Sequence, residues 1–142
     1  IIPPSVTELR ERHNLPGMSV LHFGFNDKNE SNPHRPENLS KKNIVYTGTH
    51  DNDTTAGWWN NADEECKLRV YEVGLAGENA CETLIRLAMD SAAPLAIVPL
   101  QDILQLDSTA RMNTPGEVVG NWKWKFDWPD LIDGKWDLMK RT

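Results

Sequence analysis

Residues 43–55 read NIVYTGTHDNDTT, an apolar run that passes directly into a cluster of polar residues. The apolar part predicts a short buried strand over Asn43–Thr49. Two more apolar runs between turn signals predict strands over Met18–Phe25 (MSVLHFGF) and Leu95–Leu100 (LAIVPL). Because one helical segment precedes the first run and two separate the second run from the third, the sequence predicts an α/β fold with parallel strands.

Capping signals and apolar spacing predict helices around these strands. Ser5 and Asn61 each begin a capping-box pattern, and Gly74 and Gly77 are typical of a helix end. The resulting helices span residues 5–13, 61–73 and 80–93.

Three βα units cannot close an eight-stranded barrel of about 250 residues. The first residues, IIPPS, lack an initiator methionine, so we expect the chain to begin within a longer protein.

The composition argues against several classes of partner. The 142 residues carry 15 Lys and Arg against 21 Asp and Glu, a formal net charge of -6. That balance disfavours nucleic acid and anionic membranes, which bind clustered positive charge. No apolar run approaches the roughly 20 residues that span a bilayer. Cys66 and Cys81 are too few for a disulfide scaffold or a zinc site, so we expect reduced thiols and a cytoplasmic protein.

His50 and Asp51 are the first candidate site residues. In parallel α/β proteins the reacting groups lie at the carboxyl ends of strands, where the sequence places this pair. A carboxylate there can stabilise positive charge or bind a hydroxyl, and an imidazole can donate to an oxygen. A solvated turn with an aspartate helix cap is the alternative. A calcium loop is excluded, because Gly57 falls one place late and Ala62 replaces the terminal glutamate.

Residues 101–122 form a second polar cluster, after the predicted third strand. Its amides, Arg111 and Trp122 suit a ligand with many hydroxyl groups; a loop held together by its own Asn and Pro residues is the alternative. Phe23 could line the same opening or belong to the core. We expect His22 to be a hydrogen-bonded interior histidine rather than a catalyst. The long polar loop at 26–42 exceeds the usual connection, so we expect it to serve a site.

Several segments closely resemble the amylomaltases, the 4-alpha-glucanotransferases of glycoside hydrolase family 77. They are residues 15–21 (LPGMSVL), 46–55 (YTGTHDNDTT) and 110–113 (ARMN), and 99–104 (PLQDIL) and 120–122 (GNW) fit the same pattern. The resemblance implies the C-terminal portion of a (β/α)8 TIM barrel, with the three strands as its sixth to eighth. The whole chain would then be a partial catalytic domain that lacks the N-terminal part of the barrel.

The resemblance also implies a chemistry. The family cuts an alpha-1,4-glucan and passes the glycosyl unit to another glucan or glucose, with retention through a covalent intermediate. Asp51 would be the catalytic residue that binds sugar hydroxyls and stabilises the oxocarbenium-like transition state. His50, Phe23 and Asn113 would bind substrate. The family's nucleophilic aspartate and acid/base glutamate match no residue here, so we expect this segment alone to be inactive.

The family needs no metal and no organic cofactor. The implied partners are alpha-1,4-glucans, such as starch, glycogen and maltooligosaccharides, and the upstream part of the same barrel. The implied location is the cytoplasm, or the plastid in a plant. Three alternatives stay open: an alpha-glucan hydrolase of the alpha-amylase superfamily, a non-catalytic glucan-binding module that uses its Trp residues, and an interaction segment without a sugar role.

Overall fold

The computed structural model describes residues 2–74 and 79–131. Within them, three parallel strands form one sheet in the order β1 (Gly17–Val20), β2 (Asn43–Tyr46) and β3 (Leu95–Ile97). Ser19 is in register with Val45, and Val45 with Ala96. The prediction of an α/β fold with parallel strands is therefore confirmed.

The first predicted strand, Met18–Phe25, was too long, because only its first part is extended. The strand ends at Val20, whose N–H donates to His34 Nδ1 at 3.1 Å, and Leu21–Gly24 forms helix α2. A short apolar run does not distinguish a buried strand from a buried helical turn. Gly24 is the last residue of α2, and only glycine fits there, because an added Cβ would lie 2.6 Å from the carbonyl oxygen of His34.

The other two predicted strands, Asn43–Thr49 and Leu95–Leu100, also end early, at Tyr46 and Ile97. After β3, Pro99 precedes a helical turn, α6, over Leu100–Ile103. Proline has no N–H for a strand ladder but suits the start of a helix, which explains the change.

The helices differ from the prediction at their ends. Helix α1 covers Pro4–Arg12, α4 covers Glu64–Val73 and α5 covers Ala80–Met89, and α3, over Thr55–Asn61, was missed as a separate helix. The proposed caps at Ser5 and Asn61 are wrong: Pro3 precedes α1 without a side-chain cap, and Asp63 caps α4 by accepting from Cys66 N–H at 2.7 Å. Gly74 follows α4 as predicted, and Gly77 lies outside the described residues.

Helix α5 was predicted to run to Ala93 but ends at Met89, with Asp90 as its C-cap. Ser91 Oγ donates to the Ala88 carbonyl at 2.8 Å and so satisfies one of the last backbone acceptors of the helix. Short 3-10 turns occur at Pro36–Asn38, Ser108–Ala110 and Trp128–Leu131.

The hydrophobic core lies between one face of the sheet and the helices. Its buried members come from α2 and its C-cap residue, from β2, α4 and α5, and from the 26–42 loop: Leu21, Phe25, Leu39, Val45, Cys66, Val70, Leu84 and Ala88. Cys66 and Cys81 are both buried free thiols. The 26–42 loop is packed against this core, because Asn32 Nδ2 donates to the Phe23 carbonyl at 2.9 Å and Leu39 is buried.

The opposite face of the sheet is apolar and open in part, since Val20 on this face is buried whereas three other side chains are exposed. Met18 is 59% exposed, Leu95 49% and Ile97 38%, and strand register places all three on that face. Parallel sheets are almost always covered on both faces. Among the described residues, no helix has the length and apolar character needed to cross a membrane.

Candidate functional site

The His50–Asp51 pair lies at the tip of a tight turn that follows β2. Thr49 N–H donates to Asn52 Oδ1 at 2.9 Å, Thr49 Oγ1 donates to the same oxygen at 2.7 Å, and Asn52 N–H returns a bond to the Thr49 carbonyl at 3.1 Å. These local bonds hold the turn closed. Both tip side chains are therefore half exposed, at 58% for His50 and 51% for Asp51.

The Asp51 carboxylate is held by a side chain that lies 62 residues away in sequence. Asn113 Nδ2 donates to Asp51 Oδ1 at 2.5 Å, and His50 Nε2 lies 3.4 Å from the same oxygen. Arg111 binds main-chain carbonyls instead: Nη2 donates to Asp51 O at 2.7 Å and Nε to Asn113 O at 2.8 Å. The guanidinium thus joins the two loops through their backbones, and a neutral amide contacts the carboxylate.

Trp122 lies beside His50, with ring centroids 5.2 Å apart and planes tilted by 41°. Its φ of 60° places it in the left-handed region, which a bulky residue rarely adopts. Trp122 N–H donates to the Met112 carbonyl at 2.7 Å, and Asn121 Nδ2 donates to the carbonyls of Thr114 and Glu117. The loop after residue 111 is thereby folded back, so that the indole, 62% exposed, lies at the site.

A buried polar cluster lies beneath the turn. The Asp102 carboxylate, 1% exposed, accepts from Thr47 Oγ1 at 2.6 Å, from Thr55 N–H at 2.7 Å and from Thr55 Oγ1 at 2.8 Å. His22 Nε2 is 3.0 Å from Thr55 Oγ1, and its ring stacks on Trp58 with centroids 4.7 Å apart. The prediction of an interior, hydrogen-bonded His22 is confirmed.

Burial changes the pKa of both ionisable groups in this cluster. It lowers the pKa of His22 to about 3, so the imidazole is neutral at physiological pH. Burial raises the pKa of Asp102, while the bonds from Thr47 and Thr55 act in the opposite direction. With Thr55 Oγ1 donating to the carboxylate, we assign the His22 proton to Nε2, from which it is donated to Thr55.

A cleft of about 120 Å³ lies between the turn and the residues that follow β3. Its polar lining includes His50, Asp53, Gln101, Asp102 and Arg111. Asp51 and Asn113 are not part of this lining, and their mutual contact is open to solvent. The arrangement can therefore bind hydroxyl groups through amides, carboxylates and a guanidinium, next to an exposed aromatic face.

Three of the four predicted site residues come together in the structure: His50, Asp51 and Asn113. Phe23 does not join them. It lies on α2, 41% exposed, with its ring edge-on to His34 at 5.5 Å, and it does not line the cleft.

Sequence reasoning included Arg111 and Trp122 in a polar cluster but missed their contacts with the turn. It also missed the roles of Thr47 and Thr55. The available signal was that these two threonines flank the polar run, directly after a strand and at the start of a helix.

Comparison with known proteins gives consistent matches. A family model described as 4-alpha-glucanotransferase matches residues 1–130. A 4-alpha-glucanotransferase from Synechocystis sp. is 49% identical over 136 residues, which cover 94% of this chain and 26% of the relative. A chloroplastic/amyloplastic 4-alpha-glucanotransferase from Arabidopsis thaliana is 46% identical over 127 residues, covering 88% of this chain and 22% of the relative.

A solved structure also matches. The amylomaltase from Streptococcus agalactiae, in complex with acarbose, superimposes with a TM-score of 0.92 at 31% sequence identity. The match covers 99% of this chain and 29% of that one. The chain therefore spans about a quarter of the length of the curated relatives it matches.

Proposed function

The chain belongs to glycoside hydrolase family 77, the 4-alpha-glucanotransferases, and from this premise we propose that it is part of an enzyme that transfers a segment of alpha-1,4-glucan to another glucan or to glucose. The substrates are maltooligosaccharides and the glucans of starch or glycogen. The Asp51–Asn113 contact carries the proposal, because it places a carboxylate with amide, imidazole and indole groups beside a polar cleft.

Asp51 is the proposed catalytic residue of this segment. Its carboxylate receives a neutral amide donor, and the nearby guanidinium of Arg111 is bonded to two carbonyls. The negative charge is therefore left available for the positive charge that develops on the sugar ring at an oxocarbenium-like transition state. Removing one such electrostatic partner typically costs about 3–4 kcal/mol of transition-state stabilisation.

We propose that His50 and Asn113 bind sugar hydroxyls. Each has a polar edge at the turn, and Asn113 also holds Asp51 in place. We also propose that Trp122 packs against the C–H face of a sugar, since its indole is exposed and lies next to His50. Phe23 stays a proposed substrate contact at a different position, on the exposed side of α2.

We also propose that the three strands are the sixth to eighth of a (β/α)8 barrel, and that residues 1–142 are a partial catalytic domain. The open apolar face formed by Met18, Leu95 and Ile97 supports this, because barrel strands are covered by side chains inside and helices outside. Within the described residues, β1 and β3 each pair on one side only. The upstream part of the same barrel is the proposed partner for both edges.

The nucleophile and the acid/base of a retaining mechanism are proposed to come from that upstream part, since retention needs two further carboxyl groups about 5–5.5 Å apart. The proposed location is the cytoplasm, or the plastid if the source is a plant. The name of the Arabidopsis thaliana relative supports the second setting for plant members.

The test uses the complete enzyme that contains these residues. Wild type and Asp51→Asn are incubated with maltotriose, and the products are separated by chain length. We expect glucose and a ladder of longer maltooligosaccharides from wild type, and a loss of at least about 100-fold in the variant. Asp90→Asn is the matched control, because Asp90 is an exposed carboxylate at the end of α5.

Other product patterns contradict parts of the proposal. Maltose and glucose alone, without longer products, identify a hydrolase. No turnover by folded wild type, together with maltoheptaose binding that survives Asp51→Asn but not Trp122→Ala, identifies a non-catalytic glucan-binding module. Absence of both turnover and binding leaves an interaction segment without a sugar role.

A further inference from the structure

The buried cluster under the His50–Asp51 turn connects the ends of all three strands. His22 follows β1, Thr47 follows β2, and Asp102 lies just after β3. Thr55 is the first residue of helix α3. Asp102 bonds to two residues that are 55 and 47 positions earlier in the chain, so its contacts are set by the order of the strands in the sheet.

The two threonines flank the loop that carries the candidate site. Thr47 and Thr55 bracket residues 48–54, which include His50 and Asp51. Both threonines are fully buried, and the hydroxyls of both donate to Asp102 Oδ2. Asp102 Oδ2 therefore connects the two ends of the 48–54 loop.

The hydrogen bonds between Asp102 and the two threonines resist displacement because the carboxylate is buried. A carboxylate removed from water is costly unless hydrogen bonds satisfy it. In the part of the chain that the structure describes, no lysine or arginine forms an ion pair with Asp102. The three hydrogen bonds from Thr47 and Thr55 thus compensate the cost of burying the Asp102 carboxylate. Movement of either loop end would break at least one of these bonds.

His22 fixes which groups donate and which accept in this cluster. Its Nε2–H is donated to Thr55 Oγ1, which leaves the hydroxyl hydrogen of Thr55 for Asp102. The imidazole is itself fixed by stacking on Trp58. Each hydrogen in the chain from His22 through Thr55 to Asp102 therefore has one assigned acceptor.

We propose that Asp102 is a positioning residue, which fixes the 48–54 loop through Thr47 and Thr55 and so holds Asp51 in the geometry required for glucan transfer. For the catalytic part, this inference rests on the proposed function. Asp102 itself has its carboxylate oxygens occupied by protein donors, so it acts on the reaction only through the loop.

The test uses the complete enzyme and compares isosteric pairs. Asp102→Asn replaces an acceptor oxygen by a donor, and Thr47→Val removes the hydroxyl while keeping the shape of the side chain. Thr47→Ser retains the hydroxyl and is the rescue variant. Asp90→Asn, at the opposite end of the strands, is the control for a carboxylate-to-amide change.

Two readouts are measured for each variant. The first is amide hydrogen exchange of residues 48–55 by mass spectrometry, where Thr49, Asn52 and Thr55 have hydrogen-bonded amides. The second is kcat and KM for glucose release from maltotriose. For Asp102→Asn and Thr47→Val we expect about tenfold or faster exchange in this segment alone. We also expect a kcat about 10- to 100-fold lower, with KM within about threefold of wild type.

Thr47→Ser is expected to restore most of the protection and most of kcat. The inference is overturned if Asp102→Asn behaves like Asp90→Asn, if Thr47→Val and Thr47→Ser are equivalent, or if faster exchange leaves kcat unchanged. Should Asp102→Asn fail to fold, the valine and serine pair decides. If wild type turns over no glucan, the proposed function fails, and hydrogen exchange alone then decides whether Asp102 holds the loop.

Discussion

Replacing Gly48 with alanine should destabilise the enzyme through a clash with His22. An ideal Cβ on Gly48 would lie 2.7 Å from His22 Cε1 and 3.0 Å from Nδ1, whereas carbon atoms normally approach to about 3.5–4.0 Å. The imidazole cannot move away freely, because it stacks on Trp58 and its Nε2 is bonded to Thr55 Oγ1. The new methyl group must therefore displace either the ring or the loop.

The magnitude follows from three contributions. Overpacking a well-filled site costs about 1–3 kcal/mol, and loss of the His22–Thr55 hydrogen bond adds about 0.5–1.5 kcal/mol. The φ of Gly48 lies outside the left-handed region, so alanine also stiffens the unfolded chain and returns about 0.4–1 kcal/mol. The expected net loss of unfolding free energy is about 0.5–4 kcal/mol.

The assay is urea unfolding of the complete enzyme for wild type, Gly48→Ala, His22→Ala and the double variant. If the clash is the cause, Gly48→Ala should be nearly neutral when His22 is already alanine, with a coupling of at least about 1 kcal/mol. Gly116→Ala is the control, because Gly116 has a φ of +89° and no atom within 4 Å of an added Cβ. Its cost should not depend on His22.

Two results would refute this reasoning. The first is a Gly48→Ala variant as stable as wild type. The second is the same loss of stability in the presence and absence of the imidazole, which would place the cause in the backbone of the loop. Because Gly48 precedes His50 by two residues, we also expect Gly48→Ala to lower kcat for transfer.

Burial also predicts how the enzyme responds to pH and to thiol reagents. Burial lowers the pKa of His22 to about 3, whereas the pKa in the unfolded chain is near 6.5. The neutral imidazole therefore contributes fully to the unfolding free energy above about pH 6.5. This contribution is lost as the pH falls toward 3, by up to about 1.4 kcal/mol per pH unit. His22→Gln should therefore show a flatter fall in unfolding midpoint over this range; equal slopes would contradict the prediction. Burial raises the pKa of the Cys66 thiol, and that of Cys81 to about 12, so iodoacetamide at pH 8 should label neither in the native enzyme and both after unfolding, as judged by peptide mapping. Labelling of either native thiol at the unfolded rate would show that it is accessible.

Much of the architecture was determined locally. The alternation of apolar runs with helical segments identified a parallel α/β fold, because hydrophobic periodicity is a property of neighbouring residues. The passage from an apolar strand into 50-HDNDTT-55 located the candidate site, since parallel strands expose their carboxyl ends at one edge. The burial of His22 also followed from its place in an apolar run.

The ends of the elements depended on tertiary contacts. The strand that begins at Gly17 ends at Val20, whose N–H donates to His34, fourteen residues later, rather than to a strand. Leu21–Gly24 then becomes helical, although its sequence is as apolar as the strand before it. Apolar composition predicts that a segment is buried. The hydrogen-bond partners of its backbone groups decide whether the segment is extended or helical.

The assembly of the site was decided by tertiary structure alone. Asn113 reaches Asp51 across 62 residues, and Asp102 reaches Thr47 across 55. These separations follow no sequence periodicity; they arise because β2 and β3 are neighbours in the sheet, so the loops at their carboxyl ends meet. The sequence by itself determined which chemical groups are available, and the order of the strands determined which of them touch.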